Sequence, residues 1–332
     1  MVEEADVPVE QGLDTADESE GARIERHASW AELFFDLVAV AGVAALANVL
    51  GFRLDAAALG LYALLFLAFW LSWTTFMLYG NVTAGRTHVV RMMIGMFGLG
   101  VMAASVPGVA HAVLTDDNGV LPLTVFTIAY IATRFYGSRS WRRGDVLLDF
   151  PVVQYSGGLL PWFVSIWVDE PWKLVLWGVG VGIDLLFMLV LPGRTILAKF
   201  QAQLTAQASA RRGRRRGVRP DRTGAAIHGV SIDPAHLSER LGLFVIIVLG
   251  ESVVQVVNAA SVTQYNVGLL ATGVASFVLL AGLFGLSVVF GYAGLPHLRA
   301  GRIPTRPALG LHCLLVVRPA GADHVEVGDR RE

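Results

Sequence analysis

An all-α, polytopic membrane fold is what this sequence predicts, and three observations predict it. Of 332 residues, 54% are hydrophobic and only 16% charged, where an ordinary soluble domain carries about 25% charged residues. The apolar residues gather into eight runs, each long enough as a helix to cross about 30 Å of hydrocarbon with some tilt. Finally, the basic residues segregate. With eight crossings, both termini and the second, fourth and sixth loops share one side, and that side holds every one of the 26 Lys and Arg except Arg53 and Lys173. Basic loops stay in the cytoplasm, so both termini are expected there.

The elements follow in order. Residues 1–28 open with eight acids between Glu3 and Glu20 and no basic residue before Arg23, which predicts a disordered tail. No basic start followed by an uncharged apolar run is present, so no secretory signal is read there. Ser29-Trp-Ala-Glu32 fits the capping-box pattern and starts the first helix, which runs to about Leu50. The next five runs lie near Ala56 to Tyr79, Val89 to Ala110, Val120 to Tyr136, Val146 to Val168 and Trp172 to Pro192. Trp162, Trp167 and Trp172 cluster where an aromatic belt would meet the outer interface. The loop over 193–233 carries Arg211-Arg-Gly-Arg-Arg-Arg216 without an aromatic residue from Arg211 to Asp233 to stack a base; it reads as a topology determinant touching anionic lipid rather than a nucleic-acid site. Asp233 as N-cap and Pro234 at the first helical position open the seventh helix, whose apolar run covers Leu241 to Ala260. The eighth spans Asn266 to Ala293. Pro296, Pro304, Pro307 and Pro319 break up the remainder, so 29–293 is the expected bundle and 294–332 an appended tail.

Polar side chains inside apolar helices are costly, roughly 2.5 to 3.5 kcal/mol for an acid at mid-bilayer, so each must face protein or water. On the seventh helix Glu251, Gln255 and Asn258 share one line at 100° per residue, with Arg240 eleven positions earlier on the same line. Together with Asp36, about two turns inside the first helix, they form a candidate intramembrane polar track. His27, Glu32, Arg91, Arg134, Asp149, His236 and Glu239 are expected as a second, cytoplasmic-side polar cluster. The bland readings are a cap for Glu32 and interfacial snorkelling for Arg91, Arg134 and Asp149. Asp184, just after Gly178-Val-Gly-Val-Gly182, is a secondary candidate, as an ion site or as interhelical glue. Asn81-Val-Thr83 matches a glycosylation sequon in an expected cytoplasmic loop, hence by chance. Cys313 is the lone cysteine, which excludes an internal disulfide scaffold. No phosphate-binding glycine loop, nucleophile elbow or metal-ligand histidine pair is found. No catalytic residue, metal or cofactor is therefore expected.

Two stretches, His27-Ala-Ser-Trp-Ala-Glu-Leu-Phe-Phe-Asp-Leu-Val38 and His236-Leu-Ser-Glu-Arg-Leu-Gly-Leu-Phe-Val-Ile-Ile-Val-Leu-Gly-Glu-Ser252, resemble the signatures of the bacterial low-temperature-requirement A family. The resemblance covers about residues 25 to 293. It implies a multi-pass protein of the bacterial inner (plasma) membrane, linked by name to growth in the cold, with no catalytic assignment to carry over. It also implies further apolar helices after 293, so the Pro- and Arg-rich tail is expected to be a shortened family C-terminus. Three functions are consistent with this reading: a protein that moves or binds a proton, small ion or small solute along the polar track; a structural or stress-adaptation membrane protein; and an intramembrane enzyme, for which no nucleophile or metal set is seen. The expected partners are the lipid bilayer and a small ion or solute, with no nucleic acid.

Overall fold

The structure, a computed structural model, describes residues 28–83, 89–115, 119–139, 145–147, 157–190, 228–230 and 232–289. The acidic start, most of the Arg-rich loop and the Pro-rich tail lie outside the described residues, and with them His27 and Asp149. The helices are α1 (Trp30–Phe52), α2 (Ala56–Thr83), α3 (Val89–Leu114), α4 (Val120–Arg139), the short α5 (Leu159–Val164) with a 3-10 turn (Ser165–Trp167), α6 (Trp172–Val190), α7 (Pro234–Ser261) and α8 (Val267–Phe284), continued by a π turn (Gly285–Val289). Six of them, α1 to α4, α7 and α8, are long and apolar enough to cross a membrane. The expected count of eight crossings is therefore not reproduced among the described residues.

Two expected segments are not among the six: the sixth, Trp172 to Pro192, described as α6, and the fifth, Val146 to Val168. Its start is a strand, β1 (Asp145–Leu147), and its described helical part begins only at Leu159. Gly157 and Gly158 favour a break, and Pro161 sits in the first turn of α5, where its missing N–H would have had no intrahelical partner. The sequence thus starts a new short helix there. β1 pairs in parallel with β2 (His228–Val230), Asp145 opposite His228, a pairing that helical periodicity gives no reason to expect.

At the centre stands α2. It is apolar around its whole circumference, and 61% of its spanning window is buried, against 6% for α8. Tyr62, Leu65, Phe66, Phe69, Trp73, Phe76 and Met77 fill the space between it and α1, α3 and α4. Two of its buried hydroxyls are satisfied within the helix, Ser72 donating to the Ala68 carbonyl and Thr75 to the Leu71 carbonyl, while Thr74 Oγ1 has no hydrogen-bond partner among the described residues.

One end of the bundle gathers four chain segments. The start of α1, the end of α2 and the start of α7 meet there: the Asn81 side chain bonds both backbone groups of Asp233. The β1–β2 pairing joins the connection after α4 to the stretch before α7. The opposite end ties the α1–α2 turn to the end of α3, where Arg53 donates to the Leu114 carbonyl at 3.2 Å. Trp162, expected at the outer interface, instead turns inward. It is fully buried, stacked on Trp177 with ring centroids 4.7 Å apart, while Trp167 and Trp172 remain exposed.

Candidate functional site

Ser29 caps α1 as a capping box. Its hydroxyl accepts from the Glu32 N–H, and its own N–H donates to Glu32 Oε2 at 2.9 Å. That cap fixes the Glu32 carboxylate at the helix start, and one turn on, Asp36 shares its face. Opposite them, α7 starts at the Asp233 cap, whose carboxylate accepts from the Ala235 and His236 N–H groups. Position then dictates contact: His236 and Arg240, four apart on α7, meet Glu32 and Asp36, four apart on α1.

All four side chains are buried. Arg240 donates to Asp36 through Nη2 at 2.7 Å and Nε at 3.2 Å, a two-point pair. Its remaining donors reach the Met77 carbonyl at 3.2 Å and the Glu32 carbonyl at 3.5 Å. Asp36 also accepts from Trp73 Nε1 at 2.9 Å, so both of its oxygens are engaged. Glu32 is held differently. Oε1 lies 3.6 Å from Arg240 Nη1 and Oε2 lies 3.6 Å from His236 Nε2, both too long for a hydrogen bond. Glu32 Oε1 and His236 Nε2 are without a hydrogen-bond partner among the described residues. Gly80 of α2 makes room for this arrangement, since a Cβ there would stand 2.6 Å from Glu32 Oε1 and 3.1 Å from Arg240 Nη1.

A second buried pair joins α4 to α6. Arg134 Nη2 donates to Asp184 Oδ2 at 2.9 Å, with both side chains at 0% exposure. Asp184 Oδ1 accepts from the Gly158 N–H at 2.9 Å, and Arg134 also bonds Thr75 and the Leu71 carbonyl. Arg134 is thus inside the protein rather than snorkelling. Arg91, by contrast, is half-buried at the start of α3, donating to the Tyr79 hydroxyl at 3.3 Å, and Glu239 is half-buried on α7.

The expected track is not continuous. Gln255 donates to Glu251 at 2.8 Å, and both line a shallow groove walled by Val43, Ala44, Ala47, Val248 and Ser252. Asn258, three residues from the end of α7, is exposed. Eleven residues, about 16 Å of helix, separate Glu251 from Arg240. Between them Trp73 packs on Phe244, ring centroids 4.4 Å apart, and the lining there is apolar, formed with Ala39, Val43, Phe66, Phe69 and Trp70. The structure therefore places Asp36 and Arg240 with Glu32 and His236, and puts Glu251 and Gln255 in a separate patch beyond an aromatic plug.

Sequence reasoning missed Trp73, Gly80 and Asn81. Asn81 stands out in the sequence only as part of a sequon dismissed as chance; an amide ending an otherwise apolar helix was the better signal. No group of three or more His, Cys, Asp or Glu among the described residues is arranged to hold a metal ion. No curated protein and no solved structure matches the chain. The model of the bacterial low temperature requirement A protein (LtrA) does match, over residues 27–316, a span that contains both helices of the Glu32, Asp36, His236 and Arg240 cluster. This chain, a membrane protein with several apolar helices, belongs to that family.

Proposed function

We propose that this protein binds and passes a proton, in exchange or in company with a small ion or solute, at the Glu32, Asp36, His236 and Arg240 cluster of a multi-pass inner-membrane protein whose Arg-rich end faces the cytoplasm. It acts as a carrier and not as an enzyme. One observation carries the reading: two buried carboxylates share a single guanidinium within 4 Å among the described residues. With both acids ionised the site is one positive charge short, and a buried net charge is expensive. A proton on Glu32 or His236 removes the deficit, and the two atoms that would share it face each other at 3.6 Å. Ser29, exposed at the helix start, gives Glu32 a route to water. The Trp73–Phe244 contact stands where a gate between this site and the Glu251 groove would be needed.

The test is proton flux in proteoliposomes carrying an internal pH dye, with candidate counter-ions and solutes supplied in turn. Glu32→Gln should abolish flux while the protein remains folded; equal flux in wild type and variant, or none in either under every gradient, would refute the carrier reading.

The second reading is structural, a membrane protein whose polar groups only lock helices, and the full engagement of both Asp36 oxygens favours it for that half of the cluster. The two readings divide the site: Asp36 and Arg240 hold α1 to α7, and Glu32 with His236 exchanges the proton.

A further inference from the structure

We infer that Asn81 is a positioning residue that fixes His236 in its Nε2–H tautomer and so aims the imidazole proton at Glu32. This rests on the proton-binding reading above but concerns a different observable. The side-chain amide of Asn81 is oriented without ambiguity, because it is clamped by both backbone groups of one residue. Asp233 N–H can only donate, and it meets Asn81 Oδ1 at 2.8 Å; the Asp233 carbonyl can only accept, and it meets Asn81 Nδ2 at 3.0 Å. An amide flipped about its axis would set donor against donor and acceptor against acceptor. Nδ2 is thereby a fixed donor, and its contact to His236 Nδ1 is 3.3 Å.

An imidazole nitrogen facing an N–H donor must offer its lone pair, which leaves the proton on the other nitrogen. That other nitrogen, Nε2, looks at Glu32 Oε2 from 3.6 Å and has no hydrogen-bond partner among the described residues. The backbone that carries the ring is held in the first turn of α7 by the same Asp233 whose backbone clamps Asn81. Charged groups near the ring include Arg240, one turn along, Asp36 beyond it, Asp233, whose carboxylate accepts from the His236 N–H, and Glu239 three residues on; the contact at Nδ1 is that of Asn81. The end of α2 therefore sets which nitrogen can hand a proton to Glu32. This gives a reason for an amide, rather than any polar residue, at position 81: it supplies an acceptor to the backbone and donors both to the backbone and to the ring.

The experiment is ¹⁵N NMR of histidine-labelled protein in nanodiscs above neutral pH, with the His236 signals assigned by their loss in His236→Gln. Wild type should show Nε2 protonated and Nδ1 bare, and Asn81→Ala should let the Nδ1–H form appear beside it. A wild-type spectrum with the proton on Nδ1, or with both nitrogens protonated, overturns the inference without any variant being made; so does an unchanged tautomer in folded Asn81→Ala. Failure of the carrier reading looks different: the Nε2–H signature would be present while proteoliposomes showed no Glu32-dependent flux.

Discussion

Arg240 donates to four oxygens, two on Asp36 and one each on the carbonyls of Met77 and Glu32, and so touches α1 and α2 from α7. Removing one partner of a buried ion pair strands the other and costs about 3–5 kcal/mol, whereas removing both together can be far milder. Arg240→Met and Asp36→Asn should therefore each lower stability in detergent by that order, and the double variant should recover part of the loss. Strict additivity in the double-mutant cycle would mean that the two do not act as a pair. The sequence marked Glu32, Asp36, His236 and Arg240 as candidates but divided them, Asp36 and Arg240 to the track and Glu32 and His236 to the cytoplasmic-side cluster, whereas packing joins the four. What could not be read was the pairing of Arg134 with Asp184, since nothing in either local sequence says that α4 and α6 are adjacent. Nor could the stripe on α7 be read as two patches: spacing puts Arg240 and Glu251 on one line, but only packing reveals Trp73 and Phe244 between them.

Among the elements, α2 was legible as a span but not as the hub. A helix apolar on every side is buried on every side or wrapped in lipid, and sequence alone does not separate the two. Its start can be tested by pH. Asp55 lies outside the spanning segments and caps α2, accepting from the Ala58 N–H at 2.9 Å with Arg53 Nε at 2.6 Å. Those contacts hold its carboxyl below the ordinary aspartate range, the Ala58 N–H first and Arg53 second. A depressed folded-state pKa means that the ionised carboxylate favours the folded form. The benefit is complete above the unfolded-state pKa and is lost as pH falls through the folded-state value. Asp55→Asn keeps the cap but removes the charge. Its thermal midpoint should sit below that of wild type at neutral pH and converge with it in acid; a gap independent of pH would contradict the assignment. The fifth expected segment, whose residues 148–156 lie outside the described residues, is a strand and a short helix in its described parts for a related reason. Its hydropathy spans, but Gly157, Gly158 and Pro161 are punctuation, and local punctuation outweighed average hydropathy.

At the scale of the molecule, burial falls from α2 to α8, whose spanning window is only 6% buried, a surface suited to acyl chains. The basic side chains predict a sidedness for the loops, and the geometry gathers the start of α1, the end of α2 and the start of α7 at one end, with the α1–α2 turn at the other. In a Cys313→Ser background, cysteines at Ser29 and Asp55 should be labelled by an impermeant maleimide from opposite faces of the membrane, Ser29 from the cytoplasmic side. Labelling of both from one face would break the bundle's polarity and the proposed route of the proton with it.

The central claim is that the α1–α7 cluster holds one exchangeable proton and that Glu32 is its carboxyl partner. Infrared difference spectroscopy between acidic and neutral pH on the reconstituted protein asks this directly, because a protonated carboxyl has a carbonyl stretch that a carboxylate lacks. The account predicts a protonated-carboxyl band that vanishes in Glu32→Gln and survives in Glu251→Gln. A band that survives in Glu32→Gln, or one removed only by Glu251→Gln, would contradict it.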